Sequence, residues 1–330
     1  MVNFNNLEVV MPVYNGAKYL QEQILSIYQQ TLPPVRLIVK DDNSTDNSYE
    51  LLCNLRKQYY GKWLEIAPQS SENIGCIRNV ACLLSLSKAE YIALSDQDDI
   101  WHPEKIETLL NEMLELEAKS TPQLPILVHS ELELIEHNMQ VNGKLYTTNE
   151  SINPYRQSLN DLLITNVVTG CSTLLNRPLV TRALPFPEEV LMHDWWLALI
   201  ASRYGKIQFI EKPLLGYRQH SMNLLGSDGK GFKYLIKSIK RLHFFLADYI
   251  DQIYCQNAVF SIYHLNSSKT LLIRMLSLNR IDRLKLVLHD LKSYLYLKHT
   301  TLGSLVFLIL VLLKHRQLSK TSLQVFNNRN

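Results

Sequence analysis

No two cysteines of this chain stand in a C-x-x-C pair, and the five present (Cys53, Cys76, Cys82, Cys171, Cys255) are odd in number and scattered. That argues against a disulfide framework or a structural zinc site and suits a reducing compartment. Glycine is also scarce, with eleven in 330 residues. No G-x-G-x-x-G follows a strand-like run and no G-x-x-x-x-G-K-[S/T] occurs, so hydride transfer and P-loop ATP hydrolysis are disfavoured. Any bound phosphate would then be held through a metal and cationic side chains. The glycine-rich segment 226–231 precedes the tail instead of following a core strand and reads as a hinge. Long apolar runs are missing too. Leu305 to Leu313 offers nine apolar residues flanked by Lys314, His315 and Arg316, whereas crossing a bilayer takes roughly 20. Met1 to Glu8 is short and polar, with no charged-then-apolar leader. No internal repeat or low-complexity linker is present.

What is there is globular in composition, 46% hydrophobic and 20% charged. The net charge of +3 conceals an asymmetry: residues 1–229 carry 18 Lys+Arg against 27 Asp+Glu, a net of −9, and residues 230–330 carry 16 against 4, a net of +12. The basic tail suits an anionic partner such as lipid headgroups or nucleic acid. Its apolar stripes (Phe232, Leu235, Ile236, Ile239, Leu242, Leu246, and later Ile281, Leu284, Leu288, Leu291, Leu295) have helical spacing. With Leu305 to Leu313, they favour a lipid surface over nucleic acid.

The first third alternates strand and helix. Leu7 to Val13, Val35 to Val39, Trp63 to Ala67 and Tyr91 to Ser95 read as strands. Helical spacing follows Gly16, a helix spans Cys76 to Leu86, and another follows Pro103, with His102 able to cap it. This predicts an α/β fold with a mainly parallel sheet, in which ligands bind at the carboxyl ends of the strands. Polar clusters fall at three such ends: Tyr14-Asn15, Asp41-Asp42 and Asp96-Gln97-Asp98-Asp99. Carboxylates crowded at a buried strand end repel one another, and a divalent cation would relieve them; a solvated acidic turn is the plainer reading of that cluster taken alone. Further on, Ile126 to Val128, Ile207 to Ile210 and Leu214 to Tyr217 read as strands. Ser158 to Leu163 reads as a short helix, Gly170 to Thr173 as a tight loop, and a helix runs from His193 to about Tyr204.

Pro12-Val13-Tyr14-Asn15-Gly16, Asp41-Asp42-Asn43-Ser44-Thr45-Asp46, Asn73-Ile74-Gly75 and Asp96-Gln97-Asp98-Asp99-Ile100-Trp101 occur in that order. Together they resemble the family 2 glycosyltransferases of the GT-A fold. His193-Asp194-Trp195-Trp196 and Tyr217-Arg218-Gln219-His220 resemble the bacterial rhamnosyltransferase-like branch of that family. The resemblance covers about residues 5–225. It implies a nucleotide-diphospho-sugar transferase fold with a Rossmann-like sheet. Residues 1–125 would bind the nucleotide sugar, residues 126–225 the acceptor, and residues 226–330 would be a helical, basic extension.

The roles it implies are specific. Asp96 and Asp98 match the DxD positions, with Asp99 beside them and His220 as a late metal-side group, so Mg²⁺ or Mn²⁺ would bridge the donor's diphosphate. Asp96 would also touch the nucleotide sugar. Pro12 and Tyr14 would flank the base, one of Asp41 and Asp42 would accept its N3–H, and Asn73, Arg78 and Arg218 would contact the rest of the nucleotide. Asp194 matches the general base of inverting members; capping the helix it opens is its simpler role. Gly170, Trp195 and Trp196 would face the acceptor, although adjacent helix residues point different ways and one of the two tryptophans is expected in the core. Where many members have Glu-Asp, this chain has His193-Asp194. The QxxRW motif and membrane spans of the related processive synthases do not occur, so addition of one sugar or a few is expected. The implied partners are a nucleotide-diphosphate sugar, plausibly dTDP-rhamnose, and a saccharide on a polyprenyl-diphosphate lipid. A UDP-activated galactose, glucose or GlcNAc is the alternative donor, and a non-catalytic membrane-associated homologue the alternative function. The expected place is the cytoplasmic face of the membrane, held peripherally by the basic tail.

Overall fold

Leu7–Val13 forms β1, and every residue in it but Pro12 is buried. A strand covered on both faces reads as a continuous apolar run, which is why this one was legible. After helix α1 (Leu20–Tyr28), β2 (Arg36–Asp41) lies parallel to one side of β1. Helix α2 (Ser48–Leu55) runs through a π turn (Arg56–Tyr60) and a 3-10 turn (Gly61–Trp63) into β3 (Leu64–Ile66), parallel to β2. Helix α3 (Cys76–Leu86) leads to β4 (Tyr91–Leu94), parallel to the other side of β1. One acidic residue interrupts β1: Glu8 is buried, and it is paired with Arg36 at 2.7 Å and with the Ser87 hydroxyl at 2.6 Å.

The chain continues through β5 (Ile100–Trp101), α4 (Lys105–Ala118), β6 (Ile126–Ile135), β7 (Val141–Leu145), α5 (Tyr146–Asn149) and α6 (Leu159–Leu162). It ends its regular part in β8 (Thr173–Asn176), α7 (Arg177–Ala183), α8 (His193–Tyr204) and β9 (Lys206–Arg218). In this computed structural model the described residues are 6–136 and 141–218, together with Gln256 and Phe260. Among them the strands form one nine-stranded sheet in the order β3-β2-β1-β4-β8-β6-β9-β5, with β7 on β6. The N-terminal half is the expected parallel sheet. The second half joins it through β8, antiparallel to both β4 and β6, while β6 and β9 run parallel. The apolar interior is built mainly from β1, β2, α1 and α4, with Leu174, Leu214 and Leu215 from the later strands.

Two expectations change. His102 does not cap α4, which begins two residues after Pro103 at Lys105. The His102 ring instead meets the Pro213 carbonyl at 3.1 Å and Glu133 at 2.7 Å, because Ile100–Trp101 has already been drawn into the sheet against β9. Ile207 to Ile210 and Leu214 to Tyr217 are one strand, β9, whose pairing with β6 shifts register around Glu131.

The chain divides into two compact units, one of Met1–Gln157, Val167–Phe186 and Met192–Ser227, the other of Ser158–Asn166, Pro187–Leu191 and Asp228–Asn330. Within the second, Ser158 caps α6 through Asp161 N, and Leu191 N donates to Gln256 Oε1 at 2.8 Å. His220, the hinge at 226–231 and the stripes of the basic tail lie outside the described residues. Among the described residues no helix is long and apolar enough to cross a membrane.

Candidate active site

β1, β2 and β4 point the same way, with Val13 level with Asp41 and Val10 level with Leu94, so the segments that follow them share one rim. Three loops are laced together there. Asn15, at φ 51°, donates its N–H to Ser44 Oγ and accepts from Thr45 N at 2.8 Å, tying the first loop to the second. Gln97 ties the first loop to the third: its amide accepts from Tyr14 N and donates to Tyr14 O, both at 2.9 Å. Gly16 makes room for that amide, since a Cβ there would lie 2.4 Å from Gln97 Oε1. The Tyr14 side chain is 46% exposed and open to a planar ligand.

Asp41 and Asp42 are both buried but do different work. Asp41 accepts from Ser44 N, the Ser44 hydroxyl and the Gln69 amide. Asp42 accepts from Ile74 N at 2.9 Å and Gly75 N at 2.8 Å, and so fixes the Asn73-Ile74-Gly75 turn that starts α3. Gly75 sits at φ 83°, a conformation that favours glycine. Asn73 and Arg78 are exposed on the same turn and helix.

The acidic loop is part buried and part open. Asp96 and Asp98 are half-buried, and Asp99 is fully buried. Single ligand atoms of Asp96, Asp99 and Cys171 all lie within 4.8 Å of one another; the Asp98 carboxylate is outside that group. Burial first, then the Asp98 and Asp194 charges, push the Asp96 carboxyl up to about 7. Burial first, then the Asp98 and Asp96 charges, raise Asp99 well above the carboxylate range. Lys105 is buried beside them, 3.5 Å from the centre of the Trp101 ring, and donates to the Cys171 carbonyl at 2.5 Å. Burial lowers its amine to about 7.

Arg218 was expected at the diphosphate, yet it is 1% exposed. Its guanidinium donates to the Asp98 carbonyl at 2.8 Å and to Glu22 at 2.9 Å, and it stacks on Tyr19. It braces the acidic loop from behind. Trp195 and Trp196, expected on the acceptor side, are both buried, and the Trp196 indole donates to the Ala183 carbonyl at 3.1 Å. Tryptophan at the start of α8 packs inward because that helix is apolar on every side through Ala201.

Asp194 opens α8. Its Oδ2 accepts from Gly170 N at 3.0 Å and its Oδ1 from Trp195 N at 2.6 Å. Burial raises its carboxyl, against the opposing pull of His193 and the backbone N–H groups. Gly170 must lack a side chain, because a Cβ would sit 2.7 Å from His193 Nε2. The next residue, Cys171, meets Asp96 and Asp99, so one dipeptide joins Asp194 to the acidic loop. The Cys76 thiol, raised to about 12 chiefly by burial, also feels Asp96, Asp194 and Asp42. Carboxylates from three distant segments therefore converge. Tyr146 and Tyr217, in edge contact at 5.5 Å, border the same group.

Sequence reasoning missed Cys76, Lys105, Cys171, Tyr146 and Tyr217, and gave Gln97 no role. Their partners lie across the sheet, and nothing in their local spacing marks them. A shallow groove lined by Cys53, Arg56, Lys57, Gly61, Lys62 and Ile66 contains none of the site residues.

A sheet whose strand ends gather carboxylates, a base-sized aromatic and a buried aspartate defines the GT-A class of nucleotide-sugar enzymes. Residues 8–182, just over half of the chain, match Glycosyl transferase family 2. The chain belongs to that family and is a glycosyltransferase. It is 25% identical over 229 residues to the dTDP-rhamnosyl transferase RfbG of Shigella flexneri, covering 66% of this chain and 74% of the relative. It is 26% identical over 273 residues to the putative teichuronic acid biosynthesis glycosyltransferase TuaG of Bacillus subtilis, covering 78% and 98%. An uncharacterized glycosyltransferase of Rickettsia felis, 29% identical over 223 residues, is matched along 65% of this chain and only 34% of its own length. Among solved structures, the mannosyltransferase PcManGT of Pyrobaculum calidifontis, in complex with GDP-Man and Mn²⁺, superposes with a TM-score of 0.54. The identity is 15%, over 98% of this chain and 79% of that one. That likeness supports the fold.

Proposed function

We propose that this glycosyltransferase is inverting and metal-dependent and transfers rhamnose from dTDP-rhamnose to a saccharide carried on a polyprenyl-diphosphate lipid. The observation that carries the catalytic part is the Gly170-Cys171 bridge. Gly170 N holds the Asp194 carboxylate at 3.0 Å, and the adjoining Cys171 meets Asp96 and Asp99. A base and a diphosphate-side acidic loop thus share one small volume. The 25% identity to a dTDP-rhamnosyl transferase supports the donor.

Asp194 takes the proton of the acceptor hydroxyl as that oxygen bonds to the anomeric carbon from the face opposite the diphosphate. The bond from carbon to the diphosphate oxygen breaks, and its electron pair leaves with the nucleotide. Burial suits Asp194 to this task, since a raised carboxyl is a stronger base than a solvated one. Tyr14 stacks on the pyrimidine, and Asp41 or Asp42 accepts its N3–H while holding its own loop. Asn73 and Arg78 lie exposed on the same rim to meet the nucleotide.

The acidic loop fits a hard cation: burial and the Asp98 and Asp194 charges raise the Asp96 carboxyl, a repulsion that a bound cation relieves, and carboxylate oxygens are what Mg²⁺ or Mn²⁺ takes. Asp96 and Asp98 would hold it, with His220 as a further ligand. Bound there, it supplies charge neutralisation to the departing diphosphate. The net +12 tail, with its apolar stripes, supports peripheral attachment at the inner face of the membrane, where such lipid-linked acceptors are presented.

The test is hydrolysis and transfer by the purified chain with Mn²⁺ across dTDP-rhamnose, UDP-galactose, UDP-glucose and UDP-GlcNAc. Preferential turnover of dTDP-rhamnose is expected. Preference for a UDP-sugar replaces the donor, and no turnover of any of a full panel points to a non-catalytic homologue.

A further inference from the structure

We propose that Asp96, Asp99 and Cys171 form a second cation position, beneath the Asp96–Asp98 pair, selective for a thiophilic divalent ion such as Zn²⁺. Three observations carry it. The first is geometric: one ligand atom from each of the three side chains lies within 4.8 Å of the others, a spread that modest rotamer changes close onto a single ion. The second is an unsatisfied acceptor. Asp99 is 0% exposed, and although its Oδ1 receives Arg218 N at 3.3 Å, its Oδ2 has no hydrogen-bond partner. A buried carboxylate oxygen left alone costs free energy that a bound cation recovers.

The third observation concerns the neighbouring cation. The Lys105 charge acts on both carboxylates through space, but its hydrogen bond goes to the Cys171 carbonyl and its amine lies over the Trp101 ring. It makes no hydrogen bond to either carboxylate. It also holds the Cys171 backbone in place beside the two carboxylates. Asp96, being only half-buried, supplies the way in for an ion.

The donor set decides the kind of ion. Mg²⁺ and Mn²⁺ are served by oxygens and gain little from sulfur, whereas two carboxylates and a thiolate with one open position suit Zn²⁺, Co²⁺ or Cd²⁺. On binding, the Cys171 thiol gives its proton to solvent and the sulfur lone pair makes the metal bond, so charge and atoms balance without any redox partner. Because Asp96 belongs to both positions, an ion held by the inner set withdraws it from the outer one. This last consequence, inhibition by zinc of a Mn²⁺-supported reaction, rests on the proposed function; the binding itself does not.

Cobalt is the probe. Titrating the metal-free full chain with Co²⁺ is expected to produce a thiolate-to-cobalt charge-transfer band in the near ultraviolet at one equivalent. The band should be lost in Cys171→Ser and kept in Cys53→Ser and Cys82→Ser. Asp99→Asn, which retains every thiol, is expected to weaken cobalt binding about tenfold or more. A wild-type protein without the band overturns the proposal, as does a band that survives Cys171→Ser or an Asp99→Asn titration that matches wild type. If Cys171→Ser does not fold, the Asp99→Asn comparison decides by itself. Mn²⁺-dependent sugar-nucleotide turnover on the same preparations separates the two readings. Turnover without the band removes only the inner site, and the band without turnover removes only the proposed reaction.

Discussion

The Gln97 amide and the Tyr14 peptide are joined at two points, with both hydrogen bonds at 2.9 Å. A side chain of the acidic loop thereby completes the end of β1 as a further strand residue would. The pairing depends on Gly16. Replacing Gly16 by Ala places a methyl 2.4 Å from Gln97 Oε1 and forces the amide away. The expected cost is about 1–3 kcal/mol in stability, with nucleotide affinity reduced about tenfold as Tyr14 loses its anchor. Thermal melts and a nucleotide titration measure both, and unchanged affinity would show that the anchor does not serve the base site.

Asp194→Asn keeps the shape of the α8 terminus and an acceptor for Gly170 N while removing the basic oxygen. Transfer is expected to fall about 10²–10⁴-fold, the range of general-base contributions. Nucleotide binding should stay nearly intact. Full transfer activity in this variant would leave Asp194 as a first-turn acidic residue and loop tie only.

Acid and base dependence follows from Asp96. Its carboxyl is raised in the folded chain to about 7, far above the ordinary carboxylate range, so between about 4 and about 7 the folded state holds a proton that the unfolded state has released. Stability in the presence of a chelator should therefore fall as pH rises from about 4 to about 7, by about 1–3 kcal/mol. Asp99 and Asp194, also raised by burial, contribute with the same sign, and His193, lowered by burial, with the opposite one. The comparison that isolates Asp96 is with Asp96→Asn, whose profile should be flatter, and Mn²⁺ at pH 8 should restore the wild-type loss. Parallel profiles for the two proteins would remove Asp96 as the source.

Gly205 makes a purely structural test. It ends α8, and Lys206 N donates to the Pro125 carbonyl at 3.0 Å, bringing the two backbones so close that a Cβ would lie 1.7 Å from that oxygen. Gly205→Ala is expected to cost more than about 2 kcal/mol, read by denaturant unfolding, while any folded fraction keeps its nucleotide affinity.

Much of the fold was legible because its elements carry their own periodicity. Cys76–Leu86 has an apolar face, and the His193–Tyr204 run is apolar from Trp195 to Ala201, so both helices were placed at their observed bounds. β1 and β4 are continuous apolar runs covered on both faces. What escaped is what depends on pairing at a distance. Ile100–Trp101 is too short to show a period and is a strand only because Gly216 and Leu215 stand opposite. His102 resembles a cap locally, but Glu133 and Pro213 hold its ring. In the site, the carboxylates announced themselves by type and order. Cys171 and Lys105 did not, because a lone cysteine and a lysine on a helix carry no signal until the sheet closes over them. Trp195 and Trp196 looked like acceptor platforms from the motif and are packing residues in the structure.

Arg218 is the last residue of β9, and its backbone N–H reaches Asp99 while its guanidinium reaches Asp98 and Glu22. The segment that defines the family ends at residue 182, well before this strand. A fragment ending there carries the Asp41–Asp42 and Asp96–Asp99 clusters in their proper order and still lacks Asp194 and the strand that seats the acidic loop. A chain cut before β9 would keep the sequence of the acidic loop and lose the hydrogen bonds from Arg218 to Asp98 and Asp99 that hold it.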